Sequence, residues 1–185
     1  VCDVLDEVQC VSLVEQTISK FGRLDILVNN VGGSGDIKPT LMTSTQELEA
    51  WFKFNTATAF TMSRLCAPHM VKTTGTGAIV NISSVAGHLP QPGFMSYGIG
   101  KAAMNFMTLN LAQDFAPKVR VNAISVGSTL TDALAGVMND DLEKAMLKQT
   151  PMDRLGQPED VAACALFLAS PAASYVTGEI YGVNG

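Results

Sequence analysis

Three short aliphatic and β-branched runs set the architecture: Asp25-Ile26-Leu27-Val28-Asn29-Asn30, Ala78–Ile82 and Val119–Ile124. Apolar residues at consecutive positions are the pattern of a strand covered on both faces. Between the runs, apolar residues recur at helical spacing. Val8, Val11, Val14, Ile18 and Phe21 do so before the first run, and Met104, Met107, Leu111 and Phe115 before the third. Strand–helix–strand alternation predicts an α/β chain with a parallel sheet flanked by helices, because each parallel connection must cross back over the sheet. The 185 residues, 47% hydrophobic and 16% charged, suffice for a single domain with a real core. No repeat, low-complexity tract or linker divides them.

Local signals place the element boundaries. Asp6, with Gln9 three positions on, predicts a capping box and a helix ending at Gly22. Ser44 or Thr45 starts a second helix through Leu48, Trp51 and Phe52. It meets Asn55, a poor mid-helix residue, and resumes through Phe60, Met62 and Leu65 until Pro68 bends or restarts it near His69. In Leu130–Leu147, a short helix carrying Leu130, Leu134, Val137 and Met138 can cover a hydrophobic ligand or simply pack. Pro158 opens a strongly apolar helix, Val161–Leu168, predicted to be buried. Tyr175–Gly178 turns into a last strand.

Several function classes are excluded. The net charge is −5 without a basic cluster, which disfavours nucleic acid. No apolar run reaches membrane-span length. Cys2, Cys10, Cys66 and Cys164 form no CxxC, and neither His69 nor His88 has a ligand-spaced partner, so no metal site is expected. The cysteines read as reduced thiols of a cytoplasmic protein.

The chemistry concentrates in Ser83–Lys101, SSVAGHLPQPGFMSYGIGK. Ser84 falls where the second strand ends, and open α/β sheets bind ligands at that edge. Tyr97 and Lys101 are four apart at the start of the next helix, so both share one face. A free phenol titrates near 10, too high for efficient proton transfer at neutral pH, and an adjacent ammonium lowers that value. Ser84 can then hold a substrate oxygen while Tyr97 moves a proton, which suits alcohol–ketone interconversion. The plain alternative is an exposed tyrosine beside a solvated lysine.

LVNNVGG, KFN, NISS, YGIGK, VRVNAI, TDAL, RLGQPEDVA and YVTGEIYGVNG, in this order, resemble the blocks of the short-chain dehydrogenase/reductase family along essentially the whole chain. GSTLTDAL, MLKQTPMDRLGQPEDVA and ALFLASPAASYVTG are most similar to the 7α-hydroxysteroid dehydrogenases. The resemblance implies a Rossmann-like doubly wound sheet and a cofactor, NAD or NADP. It implies catalytic roles for Asn55, Ser84, Tyr97 and Lys101. Cofactor contacts are implied at Asp3, Val4, Asn30, Val31, Gly32, Tyr97, Lys101, Gly127, Thr129 and Thr131. Asp3 reads equally as a turn or cap residue, and Thr131 as a helix cap. The implied substrate is an apolar alcohol or ketone, with a steroid or bile-acid 7α-hydroxyl favoured. A 3-oxoacyl-carrier-protein reductase is the alternative, and a catalytically silent ligand-binding member is the non-enzyme reading. A homotetramer or homodimer is implied.

The chain departs from the family pattern at Val31, Val126 and Asn184, where Ala, Pro and Asp are usual. It opens on Val1-Cys2-Asp3 with no Gly-rich strand-to-helix turn and stops at YGVNG. The expectation is therefore one family domain over residues 1–185, lacking its N-terminal strands and a short C-terminal tail, which binds dinucleotide poorly on its own.

Overall fold

The computed structural model describes residues 1–35 and 37–185. Four strands form one parallel sheet in the order β1 (Ile26–Asn29), β2 (Gly77–Ser84), β3 (Val119–Val126) and β4 (Ile180–Val183). Ile26 lies opposite Ala78, Ser84 opposite Val126, and Ala123 opposite Ile180. Alternate strand residues feed two cores, as a period of two requires. Ile79 and Val121 face Cys10, Val14, Cys66, Met70 and Leu111. Val80 and Ile124 face Leu168 on the other side. The helices that supply these partners are α1 (Glu7–Phe21), α3 (Thr58–Thr74) and α4 (Met95–Phe115) on one face and α7 (Pro158–Ala169) on the other. The expected doubly wound, Rossmann-like arrangement is present.

The end signals act where the sequence placed them, with adjustments. Asp6 caps α1 by accepting from the Val8 and Gln9 amides, and Gly22, at φ 71°, closes it in the left-handed region that glycine enters without strain. Gln9 does not complete a capping box. Its Oε1 accepts instead from the Asp3 amide at 3.0 Å. The buried stripe of α1 is Cys10 and Val14, while Val8 and Phe21, expected on that stripe, are exposed. Ser44 and Glu47 form a complete capping box on α2 (Thr45–Phe52).

Four expectations are corrected. Within residues 1–185 β1 is the edge strand and is not covered on both faces, with Ile26 47% and Val28 46% exposed. α3 runs through Pro68 without restarting; Pro68 sits on the exposed side, where the unpaired carbonyl one turn earlier is open to water. The segment after Leu130 forms two short helices, α5 (Asp132–Ala135) and α6 (Asp140–Leu147). Val137 lies exposed between them, so no single apolar face joins Leu130 to Met138. Finally, α7 buries only Leu168, and Leu166 is 73% exposed. One flank of α7 meets the sheet, and its hydrophobicity on the other flank lies outside that packing.

A buried polar chain ties the helices to the sheet. Asn29 Nδ2 donates to Asn81 Oδ1 at 2.8 Å and to Ser63 Oγ on α3 at 3.2 Å. Asn81 Nδ2 donates in turn to Thr108 Oγ1 on α4 at 2.9 Å. Each amide is thereby satisfied in a region where an unpaired one would cost about 1–3 kcal/mol. No helix among the described residues is long and apolar enough to cross a membrane.

Candidate active site

β2 ends at Ser84, which is 8% exposed. The Ser84 hydroxyl accepts from the Ala86 amide at 3.2 Å, fixing its place as the chain turns toward α4. Tyr97 and Lys101 stand one turn apart on the first half of α4. Lys101 is 3% exposed, and its Nζ lies 5.7 Å from the centroid of the Tyr97 ring. That Nζ donates to the Ile82 carbonyl at 2.8 Å, so the lysine reaches back along β2. Phe94 packs against Tyr97 with ring centroids 6.2 Å apart. Tyr97 also faces a polar slot shared with Ser34, Lys38 and Trp51.

Asn55 reaches the same place by a different route. Between α2 and α3 the chain makes one wide π-turn, Lys53–Ala57, a feature found often at functional sites. Asn55 sits in its middle and is fully buried. Its side chain grips the loop after β1: Oδ1 accepts from the Gly33 amide at 3.1 Å, and Nδ2 donates to the Gly33 carbonyl at 2.9 Å. A third bond runs from Nδ2 to the Trp51 carbonyl at 3.1 Å. A Cβ on Gly32 would lie 2.8 Å from Asn55 Oδ1 and 3.0 Å from Lys101 Nζ. The glycine therefore lets the loop pass directly over both groups.

The electrostatics differ from the simple expectation. Burial pushes the Tyr97 phenol above its usual range, and the Ser84 side chain, as a hydrogen-bond partner, opposes the shift only in part. Burial also lowers the Lys101 ammonium to about 8. The expectation that Lys101 depresses the phenol is not met: desolvation of the phenolate sets the direction, and the opposing influence comes from Ser84 rather than from Lys101. At neutral pH the pair rests as a neutral phenol beside an ammonium.

The remaining anticipated residues fall in two groups. Asn30, Val31 and Gly32 are exposed just beyond β1, and Gly32 lies beside Asn55 and Lys101. Gly127 lies at the end of β3, where a Cβ would come within 2.7 Å of Asn184 Cα, so its close approach is to the end of β4. Thr129 Oγ1 bonds the Gly127 carbonyl at 3.4 Å, and Thr131 caps α5 by accepting from the Leu134 amide at 3.3 Å. Asp3 and Val4 shape the entry to α1. Asp3 Oδ1 accepts from the Leu5 amide at 3.0 Å, and the Val4 carbonyl receives the Cys10 thiol at 3.6 Å. Among the described residues no hydrogen bond links Asp3 or Val4 to the Ser84–Lys101 cluster. Two groups went unnoticed in the sequence, the Gly33 backbone and the Trp51 carbonyl. Only backbone geometry could reveal them as partners of Asn55.

A family model described as Enoyl-(Acyl carrier protein) reductase matches residues 1–185. The chain is 44% identical over 185 residues to the 7alpha-hydroxysteroid dehydrogenase of Escherichia coli (strain K12), covering 100% of this chain and 71% of that protein. It is 47% identical over 174 residues to an uncharacterized oxidoreductase of Mycobacterium tuberculosis, covering 94% and 66%. It is 36% identical over 186 residues to a 3-oxoacyl-[acyl-carrier-protein] reductase of Thermotoga maritima, covering 100% and 74%. A solved 7 alpha-hydroxysteroid dehydrogenase complexed with NADH and 7-oxo glycochenodeoxycholic acid superposes with a TM-score of 0.94 at 42% identity, over 100% of this chain and 71% of that one. The chain thus spans about two thirds to three quarters of the length of these relatives. A matching family model, identity above 40% over the whole of this chain and a parallel sheet that presents Ser84, Tyr97 and Lys101 at one edge agree: the chain belongs to the short-chain dehydrogenase/reductase family of NAD(P)-dependent oxidoreductases.

Proposed function

We propose that this chain carries the catalytic centre of an enzyme that interconverts a secondary alcohol and a ketone, with a steroid or bile acid bearing a 7α-hydroxyl as substrate. One observation carries the reading: a buried ammonium, Lys101, lies against the ring of Tyr97 at the sheet edge where Ser84 ends β2. The surrounding residues fit a dinucleotide. Gly32 places bare backbone beside Lys101 Nζ, and Asn30, Val31 and Gly32 present an exposed edge. Lys101, Asn30, Val31 and Gly32 would hold the ribose side, Gly127, Thr129 and Thr131 the nicotinamide side, and Asp3 and Val4 the adenine. Bound there, NAD(H) or NADP(H) supplies the hydride.

The chain's own residues handle the proton. In reduction, Ser84 donates a hydrogen bond to the ketone oxygen and the neutral Tyr97 phenol gives that oxygen its proton. In oxidation, the phenolate takes the hydroxyl proton, and Lys101 stabilises the phenolate charge across the ring. At neutral pH the phenol is in the protonated form that reduction requires. Asn55 maintains the loop above Lys101 and supports proton return to Tyr97.

The relative solved with a 7-oxo bile acid and NADH supports the substrate choice. The Thermotoga maritima relative supports a second reading, reduction of a 3-oxoacyl thioester. The exposed Phe106 and Leu109 of α4 support a homodimer or homotetramer, and four free thiols support a reducing, cytoplasmic setting.

Tyr97→Phe in the full-length protein tests the centre. The expected result is a kcat loss of roughly 10²–10⁴-fold, the range of a general acid, with NAD(H) affinity by calorimetry changed less than about threefold, because the aromatic ring remains. Wild-type turnover by Tyr97→Phe would overturn the assignment. A panel comparing 7-oxo bile acids with acetoacetyl thioesters decides the substrate: a higher kcat/KM for the thioesters replaces the steroid reading with the second one.

A further inference from the structure

We infer that Thr56 is a positioning residue that locks the π-turn bearing Asn55 to the helix bearing Tyr97 and Lys101. The inference rests on the proton-transfer reading above. Helical Ser and Thr hydroxyls ordinarily fold back onto the carbonyl four residues earlier. Thr17, Thr58, Ser63, Thr73, Thr74 and Thr108 all do so, with distances of 2.7–2.9 Å. Thr56 does not. Its hydroxyl crosses to α4 and donates to the Gly100 carbonyl at 2.7 Å. Thr56 is 4% exposed, so the bond forms away from water.

The acceptor's position gives the bond its consequence. Gly100 immediately precedes Lys101 and lies three residues after Tyr97. Its carbonyl also receives the ordinary helical N–H from four residues on, and the second lone pair takes Thr56. Gly100 is itself part of the joint: a Cβ there would meet Asn55 Cβ at 3.2 Å. The wide turn makes this arrangement possible. Asn55 faces the Gly33 loop while the next residue faces α4, so one turn holds both the loop and the catalytic helix.

Thr56→Val keeps the shape and removes the hydroxyl. Thr58→Val is the control, since the same change two residues on deletes a bond to the Phe54 carbonyl of the turn but none to α4. The expected result for Thr56→Val is a kcat lower by roughly ten- to a hundredfold, the scale of a displacement up to about 1 Å. KM should stay within about twofold, as expected for an effect confined to the transition state. The apparent pKa of the kcat profile should move by about half a pH unit or more, since the relay rather than the fold is disturbed. Thr56→Ser should restore kcat, and Thr58→Val should leave kcat and profile as in wild type. Trp51, the only tryptophan, supplies a readout without turnover. Its carbonyl accepts from Asn55, so its emission should shift in Thr56→Val and not in Thr58→Val. If Thr56→Val does not fold, Gly100→Ala disturbs the same joint with the hydroxyl intact and should show the same kcat loss and profile shift. Wild-type kcat in Thr56→Val, or an equal loss in Thr58→Val, overturns the inference. Where Thr56→Val is silent but Tyr97→Phe is inactive, only the positioning role fails; where Tyr97→Phe is active, the underlying reading fails.

Discussion

Lys101→Met tests the buried ammonium most directly, because the same group is proposed to serve function and burdens the fold. In the native state burial lowers Lys101 from 10.5 to about 8. Charge buried at that cost destabilises the fold by about 3 kcal/mol at pH 7, at ~1.4 kcal/mol per pH unit. Met keeps much of the side-chain volume without the charge, but it deserts the Ile82 carbonyl, which Lys101 bonds at 2.8 Å. An unmet buried carbonyl costs about 1–2 kcal/mol. The net expectation is a variant more stable by about 1–2 kcal/mol at pH 7 and devoid of turnover.

The pH dependence separates the two contributions. Between the folded and unfolded values of Lys101 the unfolded chain binds more protons, so stability rises with pH there. The burden is fully present below about 8 and is relieved as pH climbs through 8 toward 10.5. Urea denaturation of the two full-length proteins at pH 7.0 and 9.5 should show wild type gaining about 2 kcal/mol relative to Lys101→Met. The lost hydrogen bond adds a constant offset, and the tyrosines and cysteines common to both proteins cancel. A stability difference that does not change with pH would refute the claim that Lys101 is held as a costly buried cation.

Gly32→Ala should reduce kcat by roughly tenfold or more, because its Cβ would press within 2.8 Å of Asn55 Oδ1 and 3.0 Å of Lys101 Nζ; steady-state kinetics with wild-type stability would isolate the effect. Leu168→Ala removes a fully buried side chain from the α7 core and should cost about 2–5 kcal/mol, whereas Leu166→Ala, 73% exposed, should stay within about 0.5 kcal/mol by urea denaturation. Asp160 is held down at about 2, first by the Arg154 guanidinium and then by the Gln157 amide. Its stabilising contribution is therefore present above its ordinary 3.8 and is lost as pH falls through about 2. Acid unfolding should show the gap between wild type and Asp160→Asn closing over that window.

The fold was legible where a local rule has a single outcome. Asp6, Gly22, Ser44 and Pro158 mark helix ends because each satisfies or removes particular backbone donors, or enters φ/ψ space that other residues avoid. Burial was less legible. The run in α7 is apolar throughout, yet Leu166 is exposed while Leu168 is not. Hydrophobicity states that a residue gains by being covered, but the neighbour that covers it is set by strand order and crossing geometry, which no short window contains. Pro68 shows the same limit: the carbonyl that loses its partner is tolerable only because it faces outward.

The site divides along the same line. Tyr97 and Lys101 were legible because helical periodicity alone puts residues four apart on one face. The direction of the Tyr97 shift was not, because it depends on how deeply the ring is buried, and Phe94 packs against that ring. Asn55 could be noticed as an awkward helical residue, but its accommodation by a π-turn could not be read, since one extra residue in a turn leaves no mark in composition. That extra residue has the largest structural consequence in the chain. It turns Asn55 onto Gly33 and Thr56 onto Gly100, so a helix that would otherwise present these side chains about 100° apart on one regular surface instead spans two walls of the site. The sequence names the reacting groups, while the distances between them are set by backbone irregularity, and substitutions at Thr56 and Gly100 should therefore reveal more about the rate than their distance from the phenol suggests.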